Sequence, residues 1–269
     1  MDRLQALIFD VDGTLAETEE LHRHAFNVAF ADAGLDWHWD QAAYAGLLEV
    51  TGGKERIARH MATLPAPLDG DAVRRLHAAK TAHYVAAVEA GTIMLRPGVR
   101  RLLMEARAAG LRLAIATTTS PANVDALLHA TLGADGPGLF DVVGAGDVVP
   151  RKKPAPDVYQ WVLDRLGLPA TCCIAFEDTP NGLHSALGAG IPTVVTASLY
   201  GGTDGFEEAL LVLDGLGDPG APCRVLRGPM LPGPMLDLAG LQSVLRAAGG
   251  SAAAPSPSGL GPQRGPRPG

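Results

Sequence analysis

Five short apolar runs recur along the chain, at residues 4–9, 111–116, 142–143, 172–176 and 192–195. Most are continuous in hydrophobicity. A strand with one wet face alternates, whereas a strand covered on both faces does not. Between the later runs lie stretches of helical period, at 99–109, 122–132, 156–166 and 180–189, each followed closely by Gly. Strands alternating with helices predict an α/β fold: a Rossmann-like, doubly wound parallel sheet.

The interval from about 17 to 90 breaks this alternation. It reads as successive helices at 19–33, 40–48, 54–62 and 71–89, with no convincing strand. A helical insert directly after the first strand would sit over the carboxyl ends of the sheet, where such folds bind ligands. The expected organisation is therefore a core of residues 1–16 and 92–248 with an inserted helical cap at 17–91. Arg96-Pro97-Gly98 marks the return to the core. Residues 214–234 are rich in Pro and Gly and predict a long loop before a last helix at 236–247. From Gly249 to Gly269, 11 of 21 residues are Gly or Pro. That composition cannot offset chain entropy by burial, so a disordered tail is expected.

Composition narrows the function. The 269 residues carry a net charge of -7, which disfavours general nucleic-acid binding. An anionic substrate would need local positive charge from a metal or a few placed Lys and Arg. The three cysteines, Cys172, Cys173 and Cys223, form no C-x-x-C pair and suggest neither a disulfide framework nor a zinc site. The apolar run ending at Phe9 is too short for a signal-peptide core or a membrane span. The chain reads as soluble and cytoplasmic.

Four polar elements follow strand ends. Asp10-Val11-Asp12-Gly13-Thr14 places two carboxylates after the first strand, with Gly to turn the backbone, a hard oxygen site suited to Mg2+. Alone, such a pair arises by chance about as often as not. Thr117 ends the second strand, where a hydroxyl and nearby helix-start N–H groups could hold a phosphate oxygen; read alone, it is a β-branched strand end. Lys153 stands in Lys152-Lys153-Pro154-Ala155-Pro156, where the prolines fix the loop and let one lysine be aimed. Lys152 reads as the solvated member. Glu177-Asp178 closes the series after the strand ending at Phe176.

The order of these four elements and the helical insert resemble the haloacid dehalogenase superfamily. Within it the chain is similar to the β-phosphoglucomutase-like branch, and most similar to the Calvin-cycle-associated CbbY type, phosphatases of xylulose-1,5-bisphosphate. The stretches that carry this are Ala16-Glu17-Thr18-Glu19-Glu20-Leu21-His22, the run from Thr51-Gly52-Gly53-Lys54-Glu55-Arg56 to Arg59, Ala116-Thr117-Thr118-Thr119-Ser120, and Phe176-Glu177-Asp178-Thr179-Pro180-Asn181-Gly182-Leu183. The likeness spans roughly residues 4–213.

The resemblance implies Asp10 as nucleophile, Asp12 as acid and base, and Thr117 and Lys153 as charge-stabilising groups. It implies Mg2+ held by an Asp10 oxygen, the Asp12 carbonyl and Asp178, with Glu177 nearby. It further implies substrate contacts at Glu19, His22, Gly52, Gly53, Lys54, Arg56, His77, Lys80, Thr118, Thr119, Ser120 and Asn123. His77 and Lys80 also share a helix face at a spacing of three. The positive charge of this set suits a second phosphate; the bland alternative is a set of solvated surface charges. The expected partner is a small sugar phosphate, with no nucleic acid or membrane, and the expected state is a monomer. A mutase would use the same core residues and pass the phosphoryl group to a sugar hydroxyl. A dehalogenase needs no metal, which the acidic Glu177-Asp178 pair argues against. A non-catalytic module would have no reason to keep all four elements.

Overall fold

The computed structural model describes residues 4–65 and 68–251. A seven-stranded sheet runs in the order β3-β2-β1-β4-β5-β6-β7. Its strands are β1 (Ala6–Phe9), β2 (Arg112–Ala116), β3 (Val142–Gly144), β4 (Cys173–Glu177), β5 (Thr193–Thr196), β6 (Leu211–Leu213) and β7 (Val225–Arg227). All neighbours pair parallel except β6 and β7. The doubly wound α/β expectation holds.

Side-chain alternation divides the core into two layers. Leu7 and Phe9, with Leu113, Ile115, Ile174 and Phe176, face helices α5 (Val99–Ala108), α6 (Pro121–Leu132) and α9 (Leu238–Ser251). Phe9 stacks on Phe176 of the neighbouring strand, with centroids 4.5 Å apart. Ala6 and Ile8 point the other way. With Ala114, Ala116, Cys173 and Ala175 they make a small-residue face that admits α7 (Asp157–Leu166) and the end of α8 (Pro180–Gly188). Full burial of a Leu, Ile or Phe stabilises by about 1.5–3 kcal/mol, so both faces contribute and the runs read as unbroken apolar sequence. Cys172 and Cys173 are buried free thiols.

Between β1 and α5 come four helices, α1 (Glu19–Asp32), α2 (Gln41–Leu47), α3 (Gly53–Met61) and α4 (Gly70–Glu89). They enclose an aromatic core of Phe26, Phe30, Trp39, Tyr44, Ile57, Met61 and Leu76. Asp40 and Asp69 cap α2 and α4, accepting from Ala43 N at 2.8 Å and Ala72 N at 2.6 Å. Helix α4 also packs on α6 of the sheet layer.

Two expectations need correction. Residues 214–234 are not all loop, because β7 lies within them and pairs antiparallel with β6. Helix α9 runs on to Ser251, past the expected start of the tail. The rest of the tail expectation, at 252–269, lies outside the described residues. Among the described residues no helix is long and apolar enough to cross a membrane.

Candidate active site

The strand order turns back between β1 and β4, the place where an open α/β sheet leaves a crevice at its carboxyl edge. Asp10 leaves β1 there, and Glu177 and Asp178 end the adjacent β4. All three are buried, with ligand oxygens within 4.8 Å of one another. Lys153 reaches in from the loop between β3 and α7. Its ammonium donates to Asp10 Oδ1 at 2.7 Å and Glu177 Oε1 at 2.6 Å. Tyr159 of α7 also donates to Glu177, and Ser198, after β5, donates to Asp178 Oδ2 at 2.6 Å. Thr117 is buried at the end of β2, its N–H on the Gly144 carbonyl and its hydroxyl accepting from Thr119 N at 3.2 Å.

Three carboxylates face one ammonium here, and the electrostatics reflect the imbalance. Burial pushes Asp10 from 3.8 up to about 7, with Lys153 opposing and Glu177 and Asp12 adding to the rise. Burial and the neighbouring Asp10 raise Asp178 well above the usual range, against the Ser198 hydrogen bond. Burial alone would lower Lys153, but Asp10 and Glu177 outweigh it and hold the lysine protonated. Such a cluster of hard oxygens with excess negative charge fits a divalent cation of the Mg2+ kind, held by Asp10 and Asp178 with Glu177 beside them.

The Asp12 carboxylate stands apart from that cluster. Its Oδ1 accepts from Thr18 at 2.5 Å and lies 2.9 Å from His22 Nε2. Burial acts to raise it, but His22 and Thr18 prevail and hold it below the usual carboxylate range. His22 Nδ1 lies 2.5 Å from the ammonium nitrogen of Lys80, and the imidazole stacks on Tyr84. Burial lowers Lys80 from 10.5 to about 7. Burial, then Lys80, lowers His77 to about 4.

A cavity of about 300 Å³ opens over the Asp10 cluster and is lined by Glu19, Arg56, Thr117, Thr118, Lys153 and the acidic residues. A smaller cleft of about 30 Å³ adjoins it. The two share Asp12, Arg56 and Thr118, and the cleft adds His22, Gly52, Gly53, His77, Lys80, Thr119, Ser120 and Asn123. Gly53 lets His77 approach, since a Cβ there would lie 2.7 Å from its Nε2. Ser120 caps α6, and Asn123 donates to Thr119 Oγ1 at 3.0 Å while its own buried Oδ1 has no partner.

Lys54 alone of the expected substrate residues lines neither space. It pairs with Asp147 at 2.5 Å, and Asp147 also takes Lys152 at 2.6 Å. Lys152 is thus held in an ion pair, contrary to the solvated role expected for it. The structure adds residues that the motifs did not mark. Tyr44 donates to Glu19 Oε2 at 2.6 Å and accepts from Arg56 at 3.2 Å. Thr51, Asn181 and Tyr200 line the large cavity. Thr51 and Asn181 stand within the motif stretches without being singled out as site residues; Tyr44, Ser198 and Tyr200 carry no local signal.

Residues 4–190 match the family model for haloacid dehalogenase-like hydrolases. The chain is 56% identical over 224 residues to the plasmid-borne protein CbbY of Cupriavidus necator, covering 81% of this chain and 88% of the relative. It is also similar to the crystal structure of CbbY from Rhodobacter sphaeroides in complex with phosphate, at 49% identity and TM-score 0.76, over 79% of this chain and 94% of that one. A mutant of the same protein, crystallised in complex with xylulose-1,5-bisphosphate, matches at 48% identity, the same TM-score and the same coverage. With its motifs gathered at the switch point of the sheet, the chain belongs to the haloacid dehalogenase-like hydrolases, as a phosphatase enzyme closely related to CbbY proteins.

Proposed function

We propose that this enzyme hydrolyses a sugar bisphosphate, xylulose-1,5-bisphosphate, in a Mg2+-dependent reaction through an aspartyl-phosphate on Asp10. The observation that carries the reading is the pair of adjoining spaces. One is built around three carboxylates and a lysine, the other around Lys80, His77 and the Gly52-Gly53 start of α3. A substrate with phosphate at each end suits both, and a CbbY protein crystallised with such a sugar supports the choice.

Asp10 attacks phosphorus as its carboxylate. Lys153, bound to Asp10 at 2.7 Å, and the Thr117 hydroxyl offset charge on the phosphoryl oxygens, which is most of what phosphoryl transfer requires. A cation held by Asp10 and Asp178 would supply further neutralisation of the negative charge gathered at the site. Asp12 protonates the leaving sugar oxygen and later takes a proton from the attacking water. Its ionised resting state suits the second task. For the first, His22 and Lys80, joined to it in series, form the nearest proton source. The helical segment acts as a cap that carries Arg56, His77 and Lys80 to the distal phosphate.

The test compares wild type with Arg56→Ala on xylulose-1,5-bisphosphate, ribulose-1,5-bisphosphate, β-glucose-1-phosphate and an aryl phosphate, each with and without a chelator. A charge-assisted contact is worth about 1.5–3 kcal/mol, or roughly ten- to a hundredfold in kcat/KM. The bisphosphates should lose that much and the aryl phosphate little. Equal losses on all four would assign Arg56 to closure or folding. Full activity in chelator would end the metal reading, and isomerisation of β-glucose-1-phosphate without phosphate release would favour a mutase.

A further inference from the structure

We infer that Arg96 is a positioning residue that locks the Asp12-bearing turn to the arm after β5, whose Ser198 holds Asp178, and thereby sets the affinity of the site for its cation. The inference rests on the metal reading above. Arg96 lies on the segment that returns from the helices to the sheet, where its N–H donates to the Leu15 carbonyl at 2.8 Å and Leu95 bridges to Ala16. Its side chain is 8% exposed. One terminal nitrogen donates to the Gly13 carbonyl and to Thr196, at 3.2 Å to the carbonyl and 3.1 Å to the hydroxyl. The other donates to the Ala197 carbonyl at 2.5 Å and the Asp214 carbonyl at 3.3 Å. The remaining N–H faces Glu17 at 3.4 Å.

These partners belong to the turn after β1 and to the ends of β5 and β6, the last two already joined by Ala197 N on the Leu213 carbonyl at 2.8 Å. Gly13 follows Asp12 and holds φ at +79°. A Cβ at Gly13 would strike Asp178 and come within 3.2 Å of Ser198, so turn and arm are in contact. Ala197 precedes Ser198, whose hydroxyl donates to Asp178 Oδ2 at 2.6 Å and accepts from Gly201 N at 2.9 Å. A single guanidinium thus fastens the loops after β1, β5 and β6. Taking a full charge out of water is unfavourable, and most of the partners here are neutral carbonyls. A planar fork of fixed N–H groups can serve several carbonyls at set angles, which an ammonium cannot. Groups that orient metal ligands typically account for ten- to a hundredfold in metal affinity.

The experiment titrates the full chain with Mn2+ in the absence of substrate, reading free Mn2+ by electron paramagnetic resonance, with a melting curve for each variant. Arg96→Lys should weaken Mn2+ binding by about ten- to a hundredfold in a protein that still melts cooperatively. Ser198→Ala should weaken it too, and the double variant should lose less than the product of the two single losses, since both act on one arm. Thr196→Val removes one acceptor at nearly constant volume and should weaken binding severalfold; it decides the matter if Arg96→Lys does not fold. Wild-type Mn2+ affinity in a folded Arg96→Lys, or in Thr196→Val where Arg96→Lys is unfolded, overturns the inference, whatever the change in Tm. So do fully independent losses in the double variant. A wild-type chain that binds no Mn2+ overturns the metal reading and the inference with it.

Discussion

At Asp10 the demands of catalysis and of folding oppose each other. Its carboxyl is buried among other acids and rises from 3.8 to about 7. A carboxyl whose folded value is raised adds stability below its unfolded pKa and loses it as pH climbs through the folded one. Without metal, Asp10 therefore destabilises the fold progressively between about pH 4 and 7. Asp10→Asn should abolish turnover, because an amide forms no acyl-phosphate. In chelator at pH 8 it should also melt no lower than wild type, with the difference shrinking toward pH 4. Residual turnover near the wild-type rate would remove Asp10 as nucleophile, and a clearly lower Tm at pH 8 would contradict the charge crowding. Asp10, Asp12, Lys153 and Asp178 were legible because each follows a strand or is braced by proline, so the local sequence predicts where it points. Ser198 and Tyr159 were not. A lone serine or tyrosine carries no local mark, and their contacts to Asp178 and Glu177 span 20 and 18 positions of chain.

Elements were legible where burial fixes their pattern. β1, β2 and β4 are covered on both faces and read as continuous apolar runs. β6 and β7 have three residues each, too few to show a period, and β7 sits among Gly and Pro. Its pairing with β6 is made by the sheet edge and not by its own composition, and Leu226 and Arg227 remain exposed. The helices of the inserted segment were read as successive helical stretches with no strand among them, and two of the four, α2 and α4, have side-chain caps at their starts. Asp69 caps α4, the helix that carries His77 and Lys80. Asp69→Ala should cost about 0.5–2 kcal/mol, or a few degrees of Tm. Turnover of an aryl phosphate should not change, since the cap lies well over one helical turn from Lys80. An unchanged Tm would mean that packing of α4 against α1 and α6 alone holds its first turn.

Across the whole molecule the net charge is -7, and the helical segment supplies Arg56 and Lys80, the basic side chains of the small cleft. Besides the packing of α4 on α6 and the His22–Asp12 contact, it is tied to the sheet layer by links at its rim: Lys54 to Asp147, and Asn181 to the Glu49 carbonyl at 3.0 Å and to Thr51 at 3.3 Å. Hydrogen bonds from Lys152 and Lys54 lower Asp147 to about 2. Asp147→Asn leaves those two lysines without their shared counter-charge, so KM should rise a few-fold for every substrate while kcat moves little. A loss confined to bisphosphates would place Lys54 on the substrate instead. This link was not legible, because it joins positions 93 residues apart. On the proposed reading, discrimination between one phosphate and two rests on Lys80 together with Arg56, and burial lowers Lys80 from 10.5 to about 7. In the free enzyme the unfolded chain binds the lysine proton more tightly between those values, so the fold is favoured as pH rises from 7 toward 10.5. Binding a distal phosphate works the other way, since the dianion draws the proton back onto Lys80. Affinity for a bisphosphate should then fall as pH rises above 7, by up to about tenfold per unit. His77, lowered to about 4, and Asp12, held ionised, do not titrate between pH 7 and 9. Any remaining titration of Asp10 acts on all substrates alike. KM for xylulose-1,5-bisphosphate should therefore climb from pH 7 to 9 while KM for an aryl phosphate stays level, and Lys80→Met should flatten the first curve and raise its starting value. The same slope in Lys80→Met would assign the pH dependence to another group and detach Lys80 from the distal phosphate.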